Sequence, residues 1–255
     1  MTIIPGPPSS ATSATKGTLV CGRINLTSAP HVLAEKFYLD MIPELEPRYN
    51  IAPSQAVAAV VPNPLSPGRL LRMFRWGLEP SWRQTDQRTT APINARCETV
   101  RDKPTFREAF ARRRCLIPVN GFYEWQQRPG GVQPWLFRQP DHGVFALAGL
   151  WETPDESATG EPKTGTCAIL TTRANRVMRP IHHRMPVILA EADWGRWLEL
   201  PPAGLDELAA MLRPAPTDLL LTHPVDRRVN RPDWDEPDCL AAVRDDSDDQ
   251  LNLFD

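Results

Sequence analysis

The sequence lacks long apolar runs and export signals. None of its 255 residues falls in a stretch of the roughly 20 apolar residues that a membrane-spanning helix needs. Residues 1–20 hold one lysine but no apolar run of the kind found in signal peptides. These absences predict a cytoplasmic protein that has no membrane partner.

Cysteine is scarce, and its spacing is irregular. The five cysteines form an odd number, lie far apart and include no C-x-x-C pair. This pattern argues against a disulfide framework and against a structural zinc site. We therefore expect reduced thiols, no metal and no cofactor. The cysteines are Cys21, Cys97, Cys115, Cys167 and Cys239.

An excess of charge of one sign is also lacking, since the formal net charge is -2 at pH 7. The acids are unevenly distributed, because residues 241–255 contain five acidic side chains and one arginine. The remainder carries 28 basic and 26 acidic side chains. This composition is compatible with a basic groove for an anionic partner.

The length suits one hydrophobic core with irregular ends. Residues 1–20, rich in Pro, Ser, Thr and Ala, show neither helical nor strand periodicity and predict a disordered leader. Regular patterns run from residue 21 to about residue 240, and residues 241–255 predict a disordered acidic tail. We expect a single monomeric domain between the two.

Short apolar segments bounded by turn residues dominate residues 21–240 and predict many strands with a few helices. Ser28–Pro30 resembles a helix start, and Thr105–Glu108 resembles a capping box opening a helix that ends at Arg112–Arg114. Asn120-Gly121 predicts a hairpin turn. The fold class expected is α+β, with a curved, barrel-like, mostly antiparallel sheet flanked by helices. The predicted strands include Ala56–Val61, Leu70–Trp76, Pro92–Arg96, Cys115–Val119, Phe122–Trp125, Val144–Trp151, Cys167–Thr172 and Leu219–Leu221.

Four residues with reactive or polar side chains, Cys21, Asn94, Glu124 and His182, stand at or inside otherwise apolar segments. A buried polar group must find partners or shift its ionisation, so each is either a satisfied structural group or part of a site. Taken singly, Glu124 can be a strand residue facing water, His182 a core histidine and Asn94 a turn former.

Seven short motifs occur in one order along the chain. The motifs are Cys21–Arg23, Arg48–Pro53, Trp76–Leu78, Ile93–Arg96, Arg114–Pro118, Gly121–Trp125 and Ile181–Pro186. Their order resembles that of the SRAP family (SOS response associated peptidase). The resemblance covers about residues 20–240 and implies an SRAP-like domain over residues 21–240.

The resemblance implies covalent trapping of abasic sites in single-stranded DNA, which shields the lesion. In this family an N-terminal cysteine, exposed after removal of the initiator methionine, cross-links to the lesion through a thiazolidine. Cys21 matches that cysteine. The α-amine titrates near ~7.7–8, so part of it is neutral and nucleophilic at physiological pH. All four lysines lie outside the motifs, which also favours the α-amine; they are Lys16, Lys36, Lys103 and Lys163.

The same resemblance implies roles for three further residues in a suicide-type or slowly reversible cross-linking enzyme. His182 acts as acid and base in opening the sugar ring, which suits an imidazole. Glu124 moves protons to and from the Cys21 amine and assists reversal. Asn94 positions the lesion and the Cys21 end by hydrogen bonds.

Five residues inside the motifs are predicted to contact DNA. Arg23, Arg96 and Arg184 are expected to hold phosphates that flank the lesion. Trp76 and Tyr49 are expected to support or stack on unpaired bases, with a core role as an equal alternative. The basic run Arg112–Arg114 is read instead as a favourable helix end.

The leader departs from the family pattern. Any peptide bond to Cys21 removes the α-amine, so residues 1–20 must be absent from a protein with this chemistry. Val20 stands where the family has its initiator methionine, and a GUG codon read as Met at a start explains it. The alternatives are proteolytic removal of the leader or loss of the chemistry.

The end of the tail resembles the Gln-Leu-x-Leu-Phe peptide that docks into the pocket of the bacterial DNA polymerase sliding clamp. A flexible tether, a polar anchor and exposed apolar side chains meet its physical requirements. In the alternative, the apolar side chains fold back on the domain. The matching residues are Gln250, Leu251, Leu253 and Phe254.

Two other functions remain open from the sequence. One is a cysteine peptidase, in one version autoproteolytic, that uses Cys21, His182 and Asn94 as thiol, imidazole and amide. The other is a non-covalent reader of modified or flipped bases, in which Cys21 is merely packed.

Overall fold

The computed structural model describes residues 21–82, 91–153, 164–199 and 204–244. The predicted leader, most of the predicted tail and the clamp-type residues Gln250–Phe254 lie outside the described residues. The described residues form four α-helices and thirteen strands. The helices are α1 (Pro30–Phe37), α2 (Pro104–Arg112), α3 (Trp194–Glu199) and α4 (Leu205–Met211). No helix in the described part of the chain has the length and apolar character needed to cross a membrane.

The strands fall into two large, mostly antiparallel sheets. The strands are β1 (Arg23–Leu26), β2 (Arg48–Ile51), β3 (Ala56–Pro62), β4 (Arg69–Trp76), β5 (Asn94–Arg96), β6 (Arg114–Val119), β7 (Gly121–Arg128), β8 (Gly131–Arg138), β9 (Phe145–Glu152), β10 (Thr166–Arg173), β11 (Arg184–Pro186), β12 (Ile188–Leu189) and β13 (Leu221–Pro224). The first sheet has the order β13-β8-β7-β1-β2, and the second runs β11-β10-β4-β3-β6-β9-β12. In the second sheet β9 also pairs with β10, and β5 pairs with β10 in parallel. This extra pairing makes the second sheet ring-like without closing it into a barrel, so the predicted α+β single domain is confirmed, with two sheets instead of one.

Proline begins the first two helices. Pro30 and Pro104 occupy the first turns of α1 and α2, where a missing N–H costs nothing. The predicted capping box at Thr105 is therefore wrong: Lys103 is the N-cap residue and makes no side-chain cap. The expected basic end of α2 is confirmed at Arg112, but Arg114 already begins β6. Its guanidinium still donates to two carbonyls at the helix end, those of Phe110 (2.8 Å) and Ala111 (2.7 Å).

The predicted hairpin at Asn120-Gly121 is wrong, because β6 and β7 belong to different sheets. Every residue of β6 is buried, as expected for a strand covered on both faces, whereas β7 pairs with β1 and β8 in the first sheet. The Asn120 side chain accepts hydrogen bonds from the backbone N–H groups of Thr27 (2.8 Å) and Ser28 (2.9 Å). Asn120 thus stabilises a crossing between sheets. The last predicted strand, Leu219–Leu221, is also displaced, since β13 begins at Leu221.

The alternation of β7 separates two apolar clusters. Phe122 faces the main core, where its ring stacks on that of Phe137 at 5.1 Å between centroids. Tyr123 faces a smaller cluster formed with residues of the C-terminal segment, including Val225 and Val229. Because side chains alternate along a strand, Glu124 lies on the same face as Phe122. The predicted faces of this strand are therefore confirmed.

Candidate active site

The candidate site is centred on the start of β1. Cys21 precedes β1, and β1 pairs antiparallel with β7 so that Arg23 lies opposite Tyr123. This register brings the Cys21 backbone nitrogen to 2.5 Å from Oε1 of Glu124, to which it donates a hydrogen bond. Cys21 is fully buried and has a left-handed φ of 42°, a backbone conformation that residues other than glycine seldom adopt. The chain therefore turns sharply to present this nitrogen.

Glu124 is a carboxyl group inside the protein, with 1% of its surface exposed. Burial raises its pKa to about 8, and the hydrogen bonds from the Cys21 and Trp125 backbone N–H groups oppose this rise. The group therefore exchanges a proton near neutral pH. Burial also raises the pKa of the Cys21 thiol well above its ordinary value, and the Glu124 charge adds to this effect. The sulfur at this site is thus a thiol at neutral pH.

His182 lies in the turn between β10 and β11 and is 6% exposed. Its Nδ1 lies 3.1 Å from the backbone nitrogen of Arg184, which donates to it. Its Nε2 is buried and has no hydrogen-bond partner among the described residues. Burial lowers the pKa of the imidazole from 6.5. A neutral ring with an uncommitted nitrogen is suited to accept and return a proton.

Gln126 connects Glu124 and the His182 turn. Glu124 and Gln126 lie on the same face of β7, two residues apart. The Gln126 side-chain amide donates to the carbonyl of Pro180 at 3.1 Å, two residues before His182. Its Oε1 accepts from the indole of Trp135 at 3.2 Å, and Trp135 is the register partner of Glu124. The Glu124 face of the first sheet therefore meets the β10–β11 turn of the second.

Asn94 and Arg96 lie beside the same turn, on β5. The parallel pairing of β5 with β10 places Asn94 opposite Ile169 and Arg96 opposite Thr171. Register partners share a face of the sheet. Arg184 of β11 reaches the same face, since its guanidinium contacts Oγ1 of Thr171 at 3.1 Å. Asn94, Arg96 and Arg184 thus lie on one face of the second sheet.

Of the three arginines predicted to bind phosphates, two have guanidinium groups that hydrogen-bond to other groups within the domain. Arg184 is 8% exposed and donates to both carboxylate oxygens of Glu98, at 2.6 and 3.0 Å, and to the Thr171 carbonyl at 2.7 Å. Arg23 donates to the Asn50 side chain at 2.9 Å and to two carbonyls of the C-terminal segment. Both therefore have structural contacts in place of a free guanidinium, whereas Arg96 is exposed.

The structure separates the two predicted aromatic contacts. Trp76 is fully buried and its indole N–H donates to the Ile93 carbonyl at 2.9 Å, so it has no free face for a base and belongs to the core. Tyr49 is half-buried and packs against the Tyr123 cluster.

The exposed aromatic near this segment is Trp82, which sequence reasoning passed over. Trp82 is 61% exposed. It follows Leu78, whose backbone N–H bonds the Pro92 carbonyl at 3.0 Å, two residues before Asn94. The signal was available in the sequence, because Trp82 stands between Ser81 and Arg83 in a polar stretch instead of an alternating apolar one.

Comparison with known proteins identifies relatives over most of the chain. The chain is 37% identical over 230 residues to the abasic site processing protein YoqW of Bacillus subtilis, covering 88% of this chain and 100% of that protein. It is 31% identical over 198 residues to the abasic site processing protein HMCES of Gallus gallus, covering 69% of this chain and 58% of that protein.

Solved structures share the fold. A protein from Bacteroides thetaiotaomicron superposes with a TM-score of 0.74 at 23% identity, over 88% of this chain and 100% of that one. A protein from Bordetella bronchiseptica gives a TM-score of 0.69 at 27% identity, over 81% of this chain and 100% of that one. The family profile described as SOS response associated peptidase (SRAP) matches residues 20–232. With the motifs, the sequence relatives and the profile in agreement, the chain belongs to the SRAP family.

Proposed function

We propose that this protein captures abasic sites in single-stranded DNA by forming a thiazolidine between Cys21 and the sugar aldehyde. The observation that carries the proposal is the contact between the Cys21 nitrogen and the buried Glu124 carboxyl, 2.5 Å apart. Relatives such as YoqW of Bacillus subtilis are named abasic site processing proteins, which supports the substrate class. The thiazolidine adduct is proposed to shield the lesion and to reverse slowly.

The proposed reaction needs an amine and a thiol on the same residue. The neutral α-amine of Cys21 attacks C1′ of the open-chain aldehyde, and the resulting carbinolamine loses water to give an imine. The Cys21 sulfur then bonds to C1′ while the imine nitrogen gains the thiol proton, which closes a five-membered ring. No oxidant or cofactor is required. A thiol that stays protonated suits this order, because the amine attacks first.

Glu124 is proposed to carry the protons of this sequence. A group with a pKa of about 8 accepts a proton from the attacking amine and returns it to the departing hydroxyl at a similar pH. His182 is proposed to open the closed sugar ring through its free Nε2, and Asn94 to orient the aldehyde. Arg96 and Trp82 are proposed to hold a flanking phosphate and an unpaired base.

The proposal requires a mature protein that begins at Cys21 and therefore lacks residues 1–20. We also propose that this protein acts as a monomer in the cytoplasm. The test compares a form that begins at Cys21 after methionine removal with the 255-residue form. Each is incubated with a single-stranded oligonucleotide that contains one abasic site, and adducts are counted on a denaturing gel. Adduct from the Cys21 form alone is expected, whereas adduct of equal yield from the longer form, with its leader intact by mass, would refute ring closure at Cys21.

The same assay separates the two other functions. A cysteine peptidase needs a thiolate of lowered pKa, whereas burial raises that of Cys21. Peptide cleavage without an adduct would nevertheless establish that activity, and affinity for DNA without either product would establish a non-covalent reader. Cys21→Ser and Cys21→Ala keep the amine and remove the thiol. Both are expected to give an imine that borohydride traps but no adduct that survives denaturation untreated.

A second partner is proposed for the C-terminal residues Gln250–Phe254, on the basis of their sequence alone. Docking into the hydrophobic pocket of the sliding clamp would bring the protein to sites where single-stranded abasic DNA arises. Removal of residues 250–255 is expected to abolish binding to purified clamp and to leave adduct formation unchanged. Unchanged affinity for the clamp would overturn this part of the proposal.

A further inference from the structure

The turn that carries His182 also carries an unusual set of arginines. Between β10 and β11 the chain has no acidic residue, and Arg173, the last residue of β10, is followed by Arg176 and Arg179 at a spacing of three. All three side chains are exposed. Of the residues between them, Ala174, Asn175 and Met178 are buried and Val177 is half-buried. The turn thus directs its apolar residues inward and its charges outward; the three arginines are called the arginine strip below.

Internal hydrogen bonds hold this turn in one shape. The Asn175 side chain accepts from the Met178 backbone N–H at 3.0 Å and donates to the Ala215 carbonyl at 3.1 Å. The Asn175 carbonyl accepts from Arg179 at 3.0 Å, and the Met178 carbonyl accepts from His182 at 2.9 Å. Because the backbone that bears the arginines is ordered in advance, a ligand that binds them does not have to order this loop.

The arginine strip lacks acidic partners. Several other exposed arginines are neutralised by nearby carboxylates, as in Arg101–Asp206, Arg196–Glu207 and Arg231–Asp233, at 2.6–2.9 Å. In the described ranges, no ion pair involves Arg173, Arg176 or Arg179. Like charges held together on a fixed turn repel one another and create a positive potential beside His182. An anion that spans several charges would relieve this repulsion.

We propose that the arginine strip binds consecutive phosphates of the DNA strand on one side of the lesion. This inference deepens the proposed function and rests on it. Arginine matches phosphate geometry with paired N–H donors, and such contacts hold the backbone without reading bases. The strip begins at Arg173, the register partner of Arg184, and ends three residues before His182. A strand that follows it passes directly by the proposed catalytic imidazole.

The test measures equilibrium binding of the full chain to lesion-free single-stranded DNA over a range of salt concentrations. Each lost phosphate contact lowers the slope of log K against log salt by about 0.7 for single strands. The double variant Arg176→Ala/Arg179→Ala is therefore expected to lower the slope by about 1.4 and to weaken binding at low salt by at least about tenfold. The Lys double variant, which keeps the charges, is expected to retain the slope.

Arg72→Ala is the matched control. Arg72 is exposed, has no ion-pair partner in the described part of the chain, and lies on β4, which meets β10 at Thr166 and Cys167, the end opposite Arg173. Its affinity and slope are expected to match those of the unmodified protein. An unchanged slope in the Ala double variant, or an equal loss in Arg72→Ala, would overturn the proposal. If the Ala double variant has a lowered melting temperature but an unchanged affinity for DNA, the two arginines make contacts inside the protein, and this result would also overturn the proposal.

This assay does not depend on adduct formation. A protein that begins at Cys21, binds lesion-free strands through the arginine strip and forms no adduct would refute the thiazolidine proposal and retain the strip. If the protein forms the adduct but the Ala double variant leaves the salt slope unchanged, the thiazolidine proposal stands and the arginine-strip proposal is refuted.

Discussion

The backbone nitrogen of Cys21 donates to the Glu124 carboxyl across 103 positions of the chain. The contact joins the start of β1 to the middle of β7 and places an ionisable group against the atom from which a free amine would react. Because burial raises the pKa of Glu124 to about 8, the carboxyl gains and loses its proton at the pH where an α-amine does the same.

The burial of Glu124 predicts a stability that depends on pH. An unfolded glutamate loses its proton near 4.5 and the folded one near 8, so the folded state binds more protons between these values. Stability therefore falls as pH rises through this window. Glu124→Gln, which stays neutral, is expected to gain stability relative to the unmodified chain by on the order of 4 kcal/mol between pH 5 and pH 9.

Denaturant unfolding at both pH values checks this expectation. Glu44→Gln, at an exposed glutamate, serves as the control and is expected to track the unmodified chain. A stability difference for Glu124→Gln that stays constant with pH would contradict a buried, protonated carboxyl.

His182→Gln is expected to slow adduct formation by about 10²–10⁴-fold at saturating DNA. The imidazole must be neutral to accept a proton, and burial lowers its pKa from 6.5. The rate of adduct formation by the unmodified protein should therefore fall as the pH drops through this lowered pKa. In its pH–rate profile, the variant should lose this acidic limb, which is due to His182, and keep the limb that is due to titration of the Cys21 α-amine. His183→Gln, whose ring lies 4.4 Å away and is exposed, should keep both limbs. Rate profiles that are identical in shape for His182→Gln and the unmodified protein would exclude this role.

Two tryptophans are expected to respond in opposite ways to truncation. Trp76→Ala removes a fully buried side chain and should cost about 3–5 kcal/mol of unfolding free energy. Trp82→Ala removes an exposed one, should change stability by less than about 0.5 kcal/mol, and should weaken binding to single-stranded DNA by about 1–3 kcal/mol. Denaturant unfolding and fluorescence anisotropy measure the two quantities. Undiminished DNA affinity in Trp82→Ala would remove it from the proposed binding surface.

Gln126 is expected to act as a positioning residue. Gln126→Ala loses the hydrogen bond to the Pro180 carbonyl and frees the His182 turn from β7. Adduct formation at saturating DNA should slow by about 10- to 100-fold. The apparent pKa of the acidic limb should also move toward 6.5, because a looser turn hydrates the imidazole. Gln127→Ala, at the exposed neighbouring residue, is the matched control. Equal profiles for the two variants would show that the hydrogen bond has no part in positioning.

Local pattern was enough to predict much of this chain. Period-two alternation placed Glu124 beside Phe122 and opposite Tyr123, because the faces of a strand follow from its own residues. The proline at the start of α1 and the extended segment at Asn94 were predicted for similar reasons, since both depend on neighbours in sequence. The ordered motifs predicted the family, which the comparisons confirm.

Pairings between distant segments decided the rest. The alternation of β6 and β7 is compatible with a hairpin, yet β6 is covered on both faces and joins the second sheet. Arg184 carries the same charge in any fold, but only the approach of Glu98 occupies its guanidinium. Trp76 is fully buried by packing against distant segments, whereas Trp82 is 61% exposed, as its polar neighbours in sequence indicate.

The sequence by itself determined which residues have reactive side chains and which face of each strand they occupy, because both properties are local. The tertiary structure alone decided that the Cys21 nitrogen meets Glu124 and that the His182 turn lies against β7. These contacts depend on strand register and on the packing of two sheets, and the energy that selects them is spread over the whole core.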